Sequence, residues 1–284
     1  MSIKRVGIVG SGIMGSGIAE VAAAAGYEVV LRSRSQAGAD AMVAGLAKSL
    51  AKQVERGKRT EVEAAEVSAR VMATTHLGML AEVDLVIESV VEDLEVKKAL
   101  FAELDSVCRD GAILATNTST LPVVELAMAT GRPDLVCGIH FFNPAPAMAL
   151  VEVVRPITAA DDTVSAALEF AAACGKDPVE VKDQAGFIVN ALLFPYLNNA
   201  VRLLDQGVAT REGIDAAMKG GCGFPMGPFA LLDLVGLDTS LAILDALYSE
   251  FRDPNYAAVP LLRRLVTAGQ LGRKSGRGFY DYKK

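Results

Sequence analysis

The sequence predicts an α/β fold, a mainly parallel sheet with helices on both faces, followed by an all-α domain. Three observations carry this. Short β-rich runs alternate with helical stretches over residues 1–185, the pattern of a parallel sheet with crossover helices. The first of those runs passes straight into the turn Gly10-Ser11-Gly12-Ile13-Met14-Gly15. Over residues 186–284 the β-branched runs cease and periodic apolar helices take over. The expected domains are therefore 1–185 and 186–284.

The first strand, Arg5–Val9, feeds a helix that starts near Gly12 and stops at Gly26, before a second strand at Glu28–Arg32. Gly10 permits the tight strand-to-helix turn. Gly12 lets the backbone approach a pyrophosphate, and Gly15 lets the helix pack close to the strand. Free N–H groups at the start of the helix then hold the phosphates. With strand and helix both in place, the motif reads as a dinucleotide site.

A long helical stretch follows, Ala37 to about Arg56, and then Thr60–Ser68 after a turn at Gly57. The pair is too large for an ordinary crossover and is expected to project as a helical hairpin. Further strands are expected at Val71–Thr74, Leu85–Glu88, Ile113–Thr116, Val136–Phe141, Val151–Val154 and Val179–Lys182. The helical domain reads as Phe187–Asp205, Arg211–Lys219, Phe229–Leu234, Thr239–Phe251 and Pro260–Ala268. Gly207, Gly220-Gly221 and Gly269 sit where its helices should stop. These helices are apolar on more than one side, so burial against a second copy, a homodimer, is expected.

Composition narrows the function classes. With 284 residues and 51% hydrophobic side chains, the chain is long enough for two domains with sizeable cores. A net charge of -6 argues against a general nucleic-acid binder. No apolar run approaches the ~18 residues of a membrane span, and the glycines interrupt the one apolar run that a secretory leader would need. Cys108, Cys137, Cys174 and Cys222 are scattered without CxxC spacing, as free thiols of a reducing cytoplasm would be. Two histidines in the whole chain leave no metal-ligand cluster.

His140 lies in Gly-Ile-His-Phe-Phe-Asn-Pro, near the carboxyl end of a buried-looking strand, where open α/β sheets bind their ligands. Glu152 sits inside the apolar run Leu150-Val151-Glu152-Val153-Val154, where a carboxylate is costly unless paired. A carboxylate beside an imidazole raises its basicity and fixes its tautomer. The two therefore read either as the His–acid half of a general base or as a buried structural pair. Ser119 closes the run Asn117-Thr118-Ser119 directly after a strand, where a nicotinamide would lie or where a small hydroxyl simply forms a turn. Asn190 is an amide on an otherwise apolar helix and needs a partner, which a polar substrate in an interdomain cleft could supply.

In order along the chain, GSGIMGSGIA, NTS, GIHFFNP, LVEVVR, GFIVN, PMGPFALLDLVGLD and GRKSGRGFY resemble the L-3-hydroxyacyl-CoA dehydrogenase family. Within it, the short bacterial type acting on 3-hydroxybutyryl-CoA is the most similar. The resemblance spans essentially the whole chain. It implies a Rossmann-type domain, a helical dimerisation domain and a short-chain acyl-CoA substrate. It places the catalytic pair on His140 and Glu152 and the substrate contacts on Ser119 and Asn190. Cofactor contacts fall on Gly10, Gly12, Ile13, Met14 and Gly15 in the turn, on Asn117 and Ser119, and on Glu92, Lys97 and Asn143. On the hairpin, the resemblance assigns Ser49 and Lys52 to the coenzyme A arm, with Arg56 in place of a further lysine. Lys48, Lys52 and Arg56 are spaced to share one helix face.

The chain departs from the resemblance at one point. NAD enzymes place an acid roughly 20 residues beyond the glycine turn to bind the adenosine ribose. Here that position is Ser33, flanked by Arg32 and Arg34. An acid would repel a 2′-phosphate, whereas arginine binds phosphate in a fork geometry. NADP is therefore the expected cofactor, with NAD the alternative. The competing functions are a dehydrogenase of free 3-hydroxy or sugar acids and a non-catalytic dinucleotide-binding module.

Overall fold

The computed structural model describes residues 3–283. They fall into two compact units, one ending at Asp183 and the other beginning at Gln184.

The described part of the first unit is built on an eight-stranded sheet in the order β3-β2-β1-β4-β5-β6-β7-β8. Its strands are β1 (Arg5–Val9), β2 (Glu28–Arg32), β3 (Val71–Thr74), β4 (Leu85–Glu88), β5 (Ile113–Thr116), β6 (Val136–Phe141), β7 (Leu150–Arg155) and β8 (Asp177–Lys182). All pairings are parallel except β6 with β7. The exception has a simple cause. Parallel neighbours need a crossover of a dozen or more residues, and only the short Pro-containing loop 142–149 joins β6 to β7. The last two strands are longer than the sequence suggested, because Leu150 and Arg155 of β7 and Asp177 and Pro178 of β8 still pair in register.

Strand order reverses between β1 and β4, the switch point at which α/β sheets bind ligands. β1, β4, β5 and β6 are almost wholly buried, which is why they read as continuous apolar runs. The helices are α1 (Ile13–Ala24), α2 (Gln36–Glu55), α3 (Glu61–Ala69), α4 (Leu94–Val107), α5 (Val123–Ala127) and α6 (Asp161–Ala173). Between β2 and β3, α2 and α3 form the expected hairpin. A Thr60–Glu63 capping box starts α3. Met42, Leu46 and Leu50 of α2 join the core with Val67 of α3, while Lys48, Lys52 and Arg56 stay exposed.

The second unit contains α7 (Val189–Asp205), α8 (Arg211–Cys222), α9 (Pro228–Val235), α10 (Leu237–Phe251) and α11 (Pro260–Thr267). α7 starts later than its apolar pattern, since Gly186 and Phe187 both take positive φ. α8 runs through Gly220-Gly221 and stops at Gly223, whose φ of 68° is the left-handed C-cap. The expected stop at Gly220-Gly221 is thereby corrected: glycine is tolerated inside a helix, and only the left-handed residue ends it. Two buried aspartates clasp the following chain. Asp233 accepts from the amides of Phe279 and Tyr280 and from the Tyr282 hydroxyl, and Asp215 from the Tyr280 hydroxyl. Among the described residues, no helix is long and apolar enough to cross a membrane.

Candidate active site

The glycine turn lies at the switch point. A Cβ on Gly10 would stand 2.1 Å from the Ser89 carbonyl oxygen, and one on Gly15 would stand 2.1 Å from that of Gly10. Both positions are closed to any side chain. Gly12 is the reverse case, with no atom within 4 Å of its absent Cβ. It also caps α1 without a side-chain acceptor, so the first N–H groups of that helix face open space. Backbone, turn and helix start therefore fit a dinucleotide pyrophosphate. Ile13 is exposed and Met14 half-buried beside them.

A pocket of about 260 Å³ adjoins the turn, lined by Gly10, Ser11, Gly12, Arg32, Arg34 and Ser89 among others. Arg34 is exposed, and the buried Nε of Arg32 has no hydrogen-bond partner among the described residues. Ser33 is buried, its hydroxyl accepting from the Ser35 amide at 3.4 Å. The hydroxyls of Ser11, Ser33 and Ser35 converge within 3.3 Å of the point where a Cβ of Gly38 would sit. Arg32 and Arg34 thus line this pocket, and the buried Ser33 lies between them in the chain. The cluster suits an anion.

At the other end of the same strand tips, the antiparallel pairing sets His140 directly opposite Glu152. Such partners point to the same face and touch. His140 Nδ1 lies 2.8 Å from Glu152 Oε2, and His140 Nε2 lies 3.0 Å from Ser119 Oγ. The histidine is 4% exposed and the glutamate 1%. An ionised carboxylate only accepts, so Nδ1 carries the proton and Nε2 of the neutral ring is the acceptor. The Phe142 ring, 4.6 Å away and tilted 56°, covers one side of the imidazole. Cys137 lies on the same strand, but burial pushes its thiol up to about 12, so it stays protonated and is no nucleophile.

Ser119 is held from below. Its amide donates to Glu92 Oε1 at 3.0 Å, and the Thr118 hydroxyl donates to the same oxygen. Lys97 is 1% exposed and contacts both Glu88, at 2.7 Å, and Glu92, at 3.2 Å. Asn117 Oδ1 accepts the Phe141 amide at 2.8 Å, joining the end of β5 to that of β6. Asn143 is exposed on the loop after β6. That loop is pinned by the Lys176 ammonium, which donates to the carbonyls of Ala145 and Met148.

The structure thus brings Ser119, His140, Glu152, Glu92 and Lys97 into one connected cluster. Ser49, Lys52 and Arg56 stand apart on the hairpin, Ser49 accepting from Gln53 at 3.5 Å. Asn190 belongs to the second unit, buried on the first turn of α7. Sequence reasoning missed Glu88, wholly buried at the end of β4. The signal was there: Leu85-Val86-Ile87-Glu88 ends an apolar strand on a carboxylate, as Val151-Glu152-Val153 encloses one. Ser11, Ser35 and Lys176 were also missed, and small hydroxyls in turns carry no signal of their own.

Residues 5–184 match the model of the 3-hydroxyacyl-CoA dehydrogenase NAD binding domain, and residues 186–282 match that of the C-terminal domain. The chain is 47% identical over 280 residues to a 3-hydroxybutyryl-CoA dehydrogenase of Clostridioides difficile, covering 99% of this chain and 100% of that one. It is 49% identical over 283 residues to one from Mycobacterium tuberculosis, covering 99% of each. The crystal structure of an (S)-3-hydroxybutyryl-CoA dehydrogenase from Ralstonia eutropha superposes with a TM-score of 0.97, at 43% identity and over 100% of both chains.

Proposed function

The chain belongs to the 3-hydroxyacyl-CoA dehydrogenase family, and from that premise we propose that it interconverts (S)-3-hydroxybutyryl-CoA and acetoacetyl-CoA. The observation that carries the reading is the Ser119–His140–Glu152 array at the strand tips beside the dinucleotide turn. The nicotinamide, when bound, supplies the hydride acceptor for C3. His140 Nε2 takes the proton of the C3 hydroxyl, and in reverse returns it to the oxygen of the 3-oxo group. Glu152 balances the charge formed on the imidazole and keeps its proton on Nδ1. Ser119 holds the reacting oxygen against His140. Asn190 is assigned to the substrate on its GFIVN motif, and Ser49, Lys52 and Arg56 to the coenzyme A phosphates on theirs. General acid–base help of this kind is typically worth ~10²–10⁴ in rate.

The cofactor is proposed to be NADP(H). Gly10, Gly12, Ile13, Met14 and Gly15 hold the pyrophosphate, and Arg32, Ser33 and Arg34 hold the 2′-phosphate. The buried, unbonded Nε of Arg32 and the convergence of Ser11, Ser33 and Ser35 support this. Asn117 and Asn143 complete the nicotinamide side. A homodimer through the second unit is proposed as well, supported by exposed Leu192, Val208 and Leu234.

Steady-state reduction of acetoacetyl-CoA and of free acetoacetate, each with NADPH and NADH, tests the reading. We expect turnover of the thioester, little of the free acid, and a higher kcat/KM with NADPH. Failure to reduce the thioester refutes the activity, and an advantage for NADH refutes the cofactor preference.

A further inference from the structure

We propose that Lys176 is a positioning residue for this reaction: by holding the carbonyls of Ala145 and Met148 it fixes the loop 142–149, and with it the Phe142 ring against His140. The inference rests on the activity proposed above.

The loop joins the strand of His140 to that of Glu152. From Asn143 to Ala149 every residue is exposed except Ala145, so little apolar burial holds its shape. Its hydrogen bonds must do so. The amides of Ala147 and Met148 both donate to the Pro144 carbonyl, at 2.9 and 3.1 Å, and the Ala149 carbonyl accepts from the Asp177 amide at 2.8 Å. The carbonyls of Ala145 and Met148 accept from Lys176 Nζ, at 2.7 and 2.8 Å. A hydrogen bond from an ammonium is roughly twice as strong as a neutral one, so the lysine holds the loop more firmly than its own turn bonds do.

Lys176 is itself anchored. It stands between α6 and β8, and its own amide donates to the Ala171 carbonyl at 3.1 Å, beside Gly175 in the left-handed conformation that ends the helix. The residue is 9% exposed. Among the described residues its ammonium donates to these carbonyls and not to a carboxylate, and burial pulls its pKa below the ordinary 10.5. Burying such a charge is costly, and the ordered loop is what it holds in return. Helix α1 packs on the same loop: a Cβ on Gly17 would stand 3.3 Å from Ala145 Cβ and from Pro146 Cδ. The loop is thus tied to the lysine and packed on the helix whose first turn meets the dinucleotide. Phe142, whose ring centroid lies 4.6 Å from that of the imidazole, stands three residues before Ala145. Released from Lys176, those carbonyls would turn to water, and Phe142 would lose its fixed seat beside His140.

The test is Lys176→Met of the full chain, read by the ring-proton resonance of His140 and by kcat and KM for acetoacetyl-CoA, with Tm as the control. The chain has two histidines, His76 and His140, so His76→Gln assigns the resonance. A neighbouring aromatic ring displaces that resonance, and Phe142→Leu should remove the displacement and lower kcat by about tenfold. We expect Lys176→Met to remove at least half of the displacement and to lower kcat by about as much, with KM changed less than about threefold. Adding Lys176→Met to Phe142→Leu should then cost little more, because coupled groups are not additive. A loss of stability alone would leave the resonance of the folded chain in place. Should Lys176→Met fail to fold, Lys176→Gln, which keeps donors without the charge, is expected to give the same pattern. An unmoved resonance with kcat within twofold of wild type overturns the proposal. So does a raised KM at unchanged kcat, the mark of a direct substrate contact through the cavity of about 390 Å³ that Lys176 lines with Glu20, Gln53 and Arg59. A wild-type chain inactive on acetoacetyl-CoA overturns the activity, whereas an active one whose His140 resonance ignores Lys176→Met overturns only the inference.

Discussion

His140 and Glu152 face each other across the one antiparallel pairing of the sheet, with Nδ1 and Oε2 2.8 Å apart. The pairing is set by backbone register, so neither side chain needs a long arm or a flexible loop to find the other. Glu152→Gln keeps the volume and an acceptor but removes the charge that balances an imidazolium. We expect kcat to fall by about 10²-fold or more, and His140→Ala to fall as far or further. Near-normal turnover of either variant at saturating substrate would remove the pair from the mechanism.

The arginine pocket makes a separate prediction. Arg34→Asp puts a negative charge where a 2′-phosphate is proposed to sit. A hydrogen bond to a charged group contributes about 1.5–3 kcal/mol, so the NADPH-to-NADH ratio of kcat/KM should drop by about 10- to 10²-fold. Binding of 2′,5′-ADP should weaken in parallel. An unchanged ratio would place Arg34 in solvent only.

Gly12 and Gly15 should behave differently although they share a motif. An alanine at Gly15 would drive Cβ to 2.1 Å from the Gly10 carbonyl, costing about 1–3 kcal/mol and lowering Tm. Gly12→Ala meets nothing within 4 Å, so Tm should hold while dinucleotide Kd rises about tenfold or more. Loss of stability in Gly12→Ala, or none in Gly15→Ala, contradicts the turn geometry.

Acid should find Asp84. Burial pushes its carboxyl up, but the amides of Arg5 and Lys4 and the Arg109 guanidinium outweigh this and hold it below the ordinary 3.8. A lowered carboxyl contributes its stability in full above the ordinary value and loses it as pH falls through the lowered one. Asp84→Asn should therefore lower Tm at neutral pH and flatten its fall below pH 3.8. A Tm profile parallel to wild type would show that Asp84 does not titrate with unfolding.

Much of this was legible in the residues. The glycine turn declares itself because each glycine answers a separate steric demand, and His140 and Glu152 stand out as ionisable groups among apolar neighbours. Lys97 does not. At a helix start beside acids it reads as a solvated residue, and only the sheet order, which sets Glu88 beneath it, turns it into a buried partner. The end of α8 escaped for a related reason: Gly220, Gly221 and Gly223 are alike in sequence, and φ alone tells which one stops the helix. Asn190 was visible as an amide in apolar company, and its burial on the first turn of α7 bears out only that setting.

The order of the sheet also bears on how the chain is made. β1 emerges first and becomes a central strand; β2 and β3 then extend one side, and β4 through β8 extend the other. Every strand, as it appears, meets an edge already laid down, and none has to be inserted between two that are paired. Chain order and direction of sheet growth coincide, so the glycine turn gains its second wall with β4, and the strand that carries His140 precedes the one that carries Glu152.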